Sequence, residues 1–503
     1  YEAVARIPTI PPAFRAGWDD LGVTINVREV DRDQLWLMPP SVRDWLPEGH
    51  LAWFVLDVVG ELDTSGFYTS LRDDGRGGAA YDPALMLAVL IYAYCVGERS
   101  SRRIEQRLVD DVAFRVVAAN QHPDHATLAR FRARHQEPIA ALFAQVLGLC
   151  VAEGLVAAGV VAIDGTKVEA NASAWSNRTR REIAKEVLAE AARTDAAEDA
   201  QLGDRRGGEL PERWADTRDR RARLREALRQ LDEAGASDAE TYEARRRAKE
   251  AALGRKLPGP KPRHNGRATK DRSANTTDPD SRVLKASNRF VQGYNAQAAV
   301  SEDQVVVAAE VTNAANDSVM FAPLVQATEA NLHEAGCDAA PSTYVADAGY
   351  WSAHNATLAT GAEVLIAPVP ATTGITDPDD PRIAERNAVL DRLDAGELTV
   401  RQAGAEMGVS EAWARKLRDG RRVGAADPAR LRKAMLERLA SDEGRASYAK
   451  RKVTAEPVFG NIKANLRFRR FSRRSMPAAL SEWRLVCSVH NLLKLRTARL
   501  ALC

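Results

Sequence analysis

The feature that most constrains the fold is a change of character at Gly159. Before it, from about Trp36 to Gly154, the chain follows a helical pattern. After it, the β-branched run Val160-Val161-Ala162-Ile163 ends at Asp164-Gly165, and strand candidates follow at residues 294–300, 304–311, 343–346 and 364–366. A helical stretch, 319–335, lies between 304–311 and 343–346. Three strands followed by helix, strand, helix, strand predict a mixed α/β sheet behind an all-helical N-terminal domain. At 503 residues the chain is too long for one ordinary core.

Local signals refine this outline. Tyr81-Asp82-Pro83 reads as an N-cap followed by proline at the first helical position, opening the apolar run 84–96. That run is too short to span a bilayer and suits a buried helix. Ser100 and Ser101 precede an amphipathic helix with Arg102 and Arg103 on its basic face, and Ala126-Thr127 opens another, carrying Leu128, Phe131, Ile139 and Phe143. His122 and His125 are spaced like metal ligands, but Pro123 between them favours an ordinary loop. Two insertions interrupt the sheet. Residues 176–284 read as nearly strandless, a helical hairpin broken at Gly235 and recapped by Ser237, ending in a basic Pro/Gly stretch at 257–263. Residues 371–440 begin as a Thr/Asp/Pro loop and become helical. Within them, 398–418 reads as helix, glycine turn, helix, with Ser410 capping a second helix that carries Arg415, Lys416 and Arg418. Five cysteines without a C-x-x-C pair argue against a zinc site or a disulfide framework. A soluble cytoplasmic protein is expected.

Three carboxylates stand out. Asp164 and Asp347 each follow a short apolar strand, where α/β sheets bind ligands, although an aspartate before a turn is also ordinary turn chemistry. Hard oxygen ligands converging from different strands suit Mg²⁺. Glu456 is the single acid in residues 445–475, beside ten Lys/Arg that include Arg451, Lys452, Lys463, Arg467, Arg469 and Arg470. One carboxylate among many cations is what a phosphate-handling metal site needs, and Phe468 and Phe471 interleave the charges. The bland alternative is a solvated helix with an incidental glutamate. The net charge of +2 conceals this polarity: residues 255–289 also hold ten Lys/Arg against three acids. Nucleic-acid affinity should be local to these stretches and strongly salt-dependent.

These motifs resemble the DDE transposases of bacterial insertion sequences, in the branch with a helical N-terminal domain before a ribonuclease-H-like core. The resemblance rests on residues 81–94, 97–103 and 123–132 in the helical part. In the core it rests on Ile163-Asp164-Gly165-Thr166-Lys167, Gly293-Tyr294-Asn295-Ala296-Gln297 and Val345-Ala346-Asp347-Ala348-Gly349-Tyr350, and at the last catalytic helix on residues 456–463. It implies a helical DNA-binding domain over 1–155 and a catalytic domain over 156–495, interrupted by the insertions 176–284 and 371–440. It assigns Asp164, Asp347 and Glu456 to two Mg²⁺ ions, with Mn²⁺ as a substitute, and Lys463 to a phosphate near the cut. The family's arginine falls on Arg451 or Lys452, with Tyr448 a turn earlier. The implied activity is strand cleavage and strand transfer at the ends of a mobile element, by a homodimer on double-stranded DNA in the nucleoid. The competing readings are a DNA-binding regulator or inactive relative, and a non-transposing nuclease of the same fold.

Overall fold

In the computed structural model the residues described are 41–69, 80–157, 159–187, 189, 220–254, 256, 273–286, 289–337, 340–368, 381–422 and 428–502. The chain falls into two units, Tyr1–Trp45 and Leu46–Cys503. In the first, Val42–Trp45 forms a 3-10 turn; everything else described belongs to the second. The protein is mixed α/β, with 61% helix. Among the described residues no helix is long and apolar enough to cross a membrane.

The helix Pro83–Cys95 starts as its sequence dictates: the Asp82 carboxylate accepts the Ala84 N–H at 2.7 Å and Pro83 takes the first turn. Buried on nearly every side, it needs no polar face. Around it stand Leu51–Glu61, Ser101–Asp110, Val112–Val117, His125–Arg134 and Gln136–Ala152. The stretch expected to run as one helix from Ala126 past Phe143 breaks at His135. Pro138 has no N–H to offer the Arg134 carbonyl, but fits the first turn of a new helix, where that N–H has no intrahelical partner. His125 pairs with Glu105 at 2.7 Å and opens the helix His125–Arg134, while His122 lies in the loop before it as expected.

The sheet is built from β1 (Val160–Glu169), β4 (Arg282–Ala286), β5 (Arg289–Val300), β6 (Val306–Thr312), β7 (Thr343–Ala346) and β8 (Glu363–Ile366), while β2 (Asn177–Thr179) and β3 (Ser273–Asn275) form a separate ribbon. Strand order is β4-β5-β1-β7-β8, with β6 also on β5. β1 is antiparallel to β5 and parallel to β7. It does not stop at Asp164-Gly165 as expected, because β5 supplies partners as far as Glu169 opposite Gly293. β6 begins at Val306 rather than Gln304, which turns the chain with φ +62°.

Residues 176–284 are nearly strandless as expected, with β2, β3 and part of β4 the strands among the described residues there. Gly235 does not break the helix: Arg220–Leu253 is continuous. A mid-helix glycine costs about 1 kcal/mol, and the ion pairs Arg229–Glu233, Arg247–Glu243 and Arg246–Glu250 at helical spacing oppose that cost. The basic stretch at 257–263 lies outside the described residues.

In the second insertion Val400–Glu406 and Glu411–Arg422 pack with Pro381–Asp394 around Val389, Leu390, Leu393 and Ala403. Gly408 turns the chain at φ +67° and the Ser410 hydroxyl caps Trp413 N–H at 3.2 Å, as the helix-turn-helix reading expected. Residues 371–380 lie outside the described residues.

The closing helix Met476–Leu502 seals the sheet. Trp483, fully buried, donates its indole N–H to Gln297 O at 2.9 Å. Gly293 shows why the strand needs glycine: a Cβ there would stand 2.1 Å from Val168 O on β1. Gly293→Ala should therefore destabilise the protein by about 3 kcal/mol or more, read as loss of soluble folded chain or a large fall in the denaturation midpoint. An unchanged midpoint would show that β1 and β5 do not approach this closely.

Candidate active site

The parallel pairing of β1 with β7 ends at Ile163 opposite Ala346. The next residue on each strand is an aspartate, so Asp164 and Asp347 emerge side by side. Asp347 caps the 3-10 turn Ala348–Tyr350, its Oδ1 accepting Gly349 N–H at 2.8 Å. Asp164 accepts its neighbour's N–H, that of Gly165, also at 2.8 Å. Burial pushes the Asp164 carboxyl up to about 6; the Gly165 N–H opposes this, Asp347 adds to it, Arg451 opposes it and Asp317 adds to it.

Asp317, not singled out from the sequence, is the third acid here. Its Oδ1 accepts from Lys167 Nζ at 2.8 Å, Asn295 Nδ2 at 2.6 Å and Gln297 Nε2 at 2.9 Å. Its Oδ2 faces the aspartate turn: a Cβ on Gly349 would lie 3.3 Å from it and 3.0 Å from Asp347 Oδ1. Tyr350, fully buried, donates to Gln297 Oε1 and is held protonated by burial and by Asp317, Asp164 and Asp347. The alternation Asn295, Gln297 in a strand between apolar residues was the available signal. Two amides on one face of a buried strand need a polar partner.

The helix Asp442–Ala464 packs across β1 and β7. Arg451 is the member of the Arg451/Lys452 pair whose charge acts on Asp164; its guanidinium also sits 5.9 Å from the Tyr448 ring centre. Tyr448 is raised by burial, lowered by Arg451 and raised by Asp347. Lys463 donates to Thr166 Oγ1, two residues beyond Asp164 on the same face of β1, and is lowered by burial while Asp164 raises it. Lys452 is exposed.

Glu456 is exposed on this helix, between Arg451 and Lys463. Seven residues separate it from Lys463, within about 20° of two full turns, so the two share a face. Among the described residues no three His, Cys, Asp or Glu side chains stand close enough together to hold a metal ion. The structure thus brings Asp164 and Asp347 together and places Glu456 on the covering helix without joining it to them. Pro457, next to it, has no N–H for the Val453 carbonyl, and Gln304 Nε2 from the β5–β6 turn takes that place at 2.9 Å.

Phe468 and Phe471, which interleave the charges in the sequence, turn inward. Both are fully buried, edge to face with each other at 5.2 Å, with Phe468 against Trp483. Arg467, Arg469 and Arg470 alternate outward from this anchored segment, which bridges to Glu169 on β1. In the second insertion Arg415 pairs with Glu411 at 2.9 Å, Arg418 is half-buried, and the Lys416 side chain lies outside the described residues.

A raised carboxyl makes the folded, metal-free protein bind more protons than the unfolded chain between about pH 4 and pH 6, so Asp164 lowers stability as pH rises through that window. Asp164→Asn should therefore be more stable than the parent at about pH 7.5 in chelator, by about 2 kcal/mol, with the difference closing toward pH 4. Denaturant unfolding at several pH values measures it. A difference that does not change with pH would place the carboxylate in water.

Two segments match known families. Residues 40–134 match the Transposase domain (DUF772), and residues 412–496 match the Transposase DDE domain, which includes Glu456 and Lys463. Asp164 and Asp347 lie between the matched segments. No curated protein and no solved structure matches the chain. With one transposase domain opening the helical part and a DDE domain closing the sheet, the two matches together support a DDE transposase of the insertion-sequence type.

Proposed function

We propose that the protein cleaves DNA strands at the ends of a mobile element and joins them to target DNA, using a ribonuclease-H-like core in which Asp164, Asp347 and Glu456 are the metal-binding carboxylates. The observation that carries this is the side-by-side emergence of Asp164 and Asp347 from parallel strands, under a helix that presents Arg451, Glu456 and Lys463.

The residues suit a divalent cation. Two oxygen donors from neighbouring strands form a hard ligand set, and the half-buried Asp164 carboxylate, crowded by Asp347 and Asp317, stays raised even with Arg451 opposing the shift. When bound by Asp164, Asp347 and Glu456, Mg²⁺ or Mn²⁺ would lower the pKa of an attacking water or 3′-hydroxyl and stabilise the leaving oxygen. The chain's own side chains do the rest. Lys463, held at Thr166, offers its ammonium to a phosphate beside Asp164. Arg451 balances charge next to Asp164 and steadies Tyr448. Asp317 holds Lys167, Asn295 and Gln297, so β1 and β5 cannot shift beneath the aspartates. Arg467, Arg469 and Arg470 extend the cationic surface for the DNA backbone.

Asp347→Asn should reduce metal-dependent nicking of a plasmid carrying the element ends by roughly a hundredfold or more, while binding to the same DNA stays within about twofold. Cleavage at the parent rate in that variant would remove Asp347 from the catalytic set. Binding without any cleavage by the parent protein would favour a DNA-binding regulator.

A further inference from the structure

A second cationic feature lies away from the carboxylates. A cleft of 1710 Å³ opens between the helix His125–Arg134, the insertion helix Arg220–Leu253 and the segment 472–477 that leads into the closing helix. Its charged walls are arginine on the basic side, with no lysine. It is larger than the usual small-ligand pocket of about 300–1,000 Å³.

The acids that line it are already engaged. Asp278 accepts from the Tyr294 hydroxyl at 2.8 Å and Ser475 N–H at 3.1 Å. Asp280 accepts from Gln230 Nε2 at 2.5 Å and Met476 N–H at 2.7 Å, and Glu226 is paired with Arg229. Two exposed arginines of the cleft, Arg134 and Arg225, meet no carboxylate among the described residues, whereas Arg130 lies in the field of Asp124 and Arg474 in that of Asp278. Arg130 touches only the Thr127 hydroxyl and Arg474 only the Asn171 carbonyl. Guanidinium groups left unneutralised on two facing walls of one cleft, the helix His125–Arg134 and the insertion helix, repel one another unless an anion enters.

The walls are fixed in place. Leu224, Ala227 and Leu231 of the insertion helix bury against Ile183 and Ala274, beside the Gln230–Asp280 hydrogen bond. Asn171, which lines the cleft, follows β1 seven residues beyond Asp164, about 20 Å at the rise of an extended strand.

We propose that this cleft is a seat for the phosphate backbone of duplex DNA, separate from the carboxylate site, with Arg134, Arg225, Arg130 and Arg474 as the phosphate ligands. It rests on the reading of the protein as a DNA-cutting enzyme for the identity of the anion, and on the uncompensated arginines for its location. DNA seated there ties the N-terminal helices, the insertion and the sheet into one binding surface.

The test uses the full chain and a fluorescein-labelled duplex of about 30 base pairs carrying an element end, with binding followed by anisotropy over a series of salt concentrations. The double variant Arg134→Glu/Arg225→Glu should bind about tenfold or more weakly, and its logarithmic salt dependence should be shallower by about 2, one for each phosphate no longer neutralised. Arg134→Gln/Arg225→Gln should show the same fall in slope, which separates removal of the guanidinium from added repulsion. Arg247→Glu, on the same helix but outside the cleft and paired with Glu243, should leave both quantities unchanged. Thermal melting of each variant at the parent midpoint confirms folding. If both double variants keep the parent affinity and slope while the parent binds and nicks DNA, the cleft proposal fails and the enzyme reading stands. If the double variants lose binding but the parent never nicks, the cleft stands and the enzyme reading fails.

Discussion

Everything at the carboxylate site depends on the mixed pairing of β1. One neighbour, β7, runs parallel and ends after four residues; the other, β5, runs antiparallel and continues. An aspartate placed one residue past the end of the parallel ladder is still held rigidly by the antiparallel one. That is how Asp164 can sit half out of a sheet without fraying, and why it meets Asp347, which occupies the equivalent place on β7. A sheet with only parallel neighbours would have released the chain at that point, and one with only antiparallel neighbours would have brought a second hydrogen-bonded strand where the aspartate turn now stands.

Burial of the polar groups around Asp317 is tolerated because they are matched to one another. Asp317 accepts three hydrogen bonds on a single oxygen, from a lysine and two amides, and those amides are in turn fixed by Tyr350 and by each other. Lone buried amides on β5 would cost a few kcal/mol each. Joined to Asp317, they become a frame that couples β1, β5 and the turn after β6. Asp164 is the exception, an acid raised by its surroundings rather than relieved by them. Polar networks that are satisfied everywhere except at one group concentrate their unrelieved electrostatic energy on that group.

Much of this was legible in the sequence because it is local. The cap at Asp82, the glycine turn before Ser410 and the short apolar strands ahead of Asp164 and Asp347 follow from neighbouring residues alone. What escaped was long-range. The continuation of β1 to Glu169 needs β5 as its partner, and nothing within 164–169 announces one. Gly235 reads as a break until the ion pairs along the helix are weighed against it. Phe468 and Phe471 interleave the arginines in the sequence, and only the packing of Trp483 against Phe468 and of Tyr294 against Phe471 shows that they anchor the segment. Asp317 sits in an ordinary Asn-Asp-Ser turn and gains its role from residues on three other elements.

The repaired hydrogen bond beside Glu456 has a mechanical consequence. Pro457 leaves the turn from Val453 to Pro457 without its own backbone tie, and the substitute comes from Gln304, whose carbonyl is in turn held by His490 and whose side-chain oxygen is held by Lys494 of the closing helix. Glu456 thus stands one residue from a helical turn whose missing backbone bond is made good by the β5–β6 turn and, through it, by His490 and Lys494 of the closing helix. The seating of the covering helix beside that carboxylate therefore depends on residues distant from it in the chain.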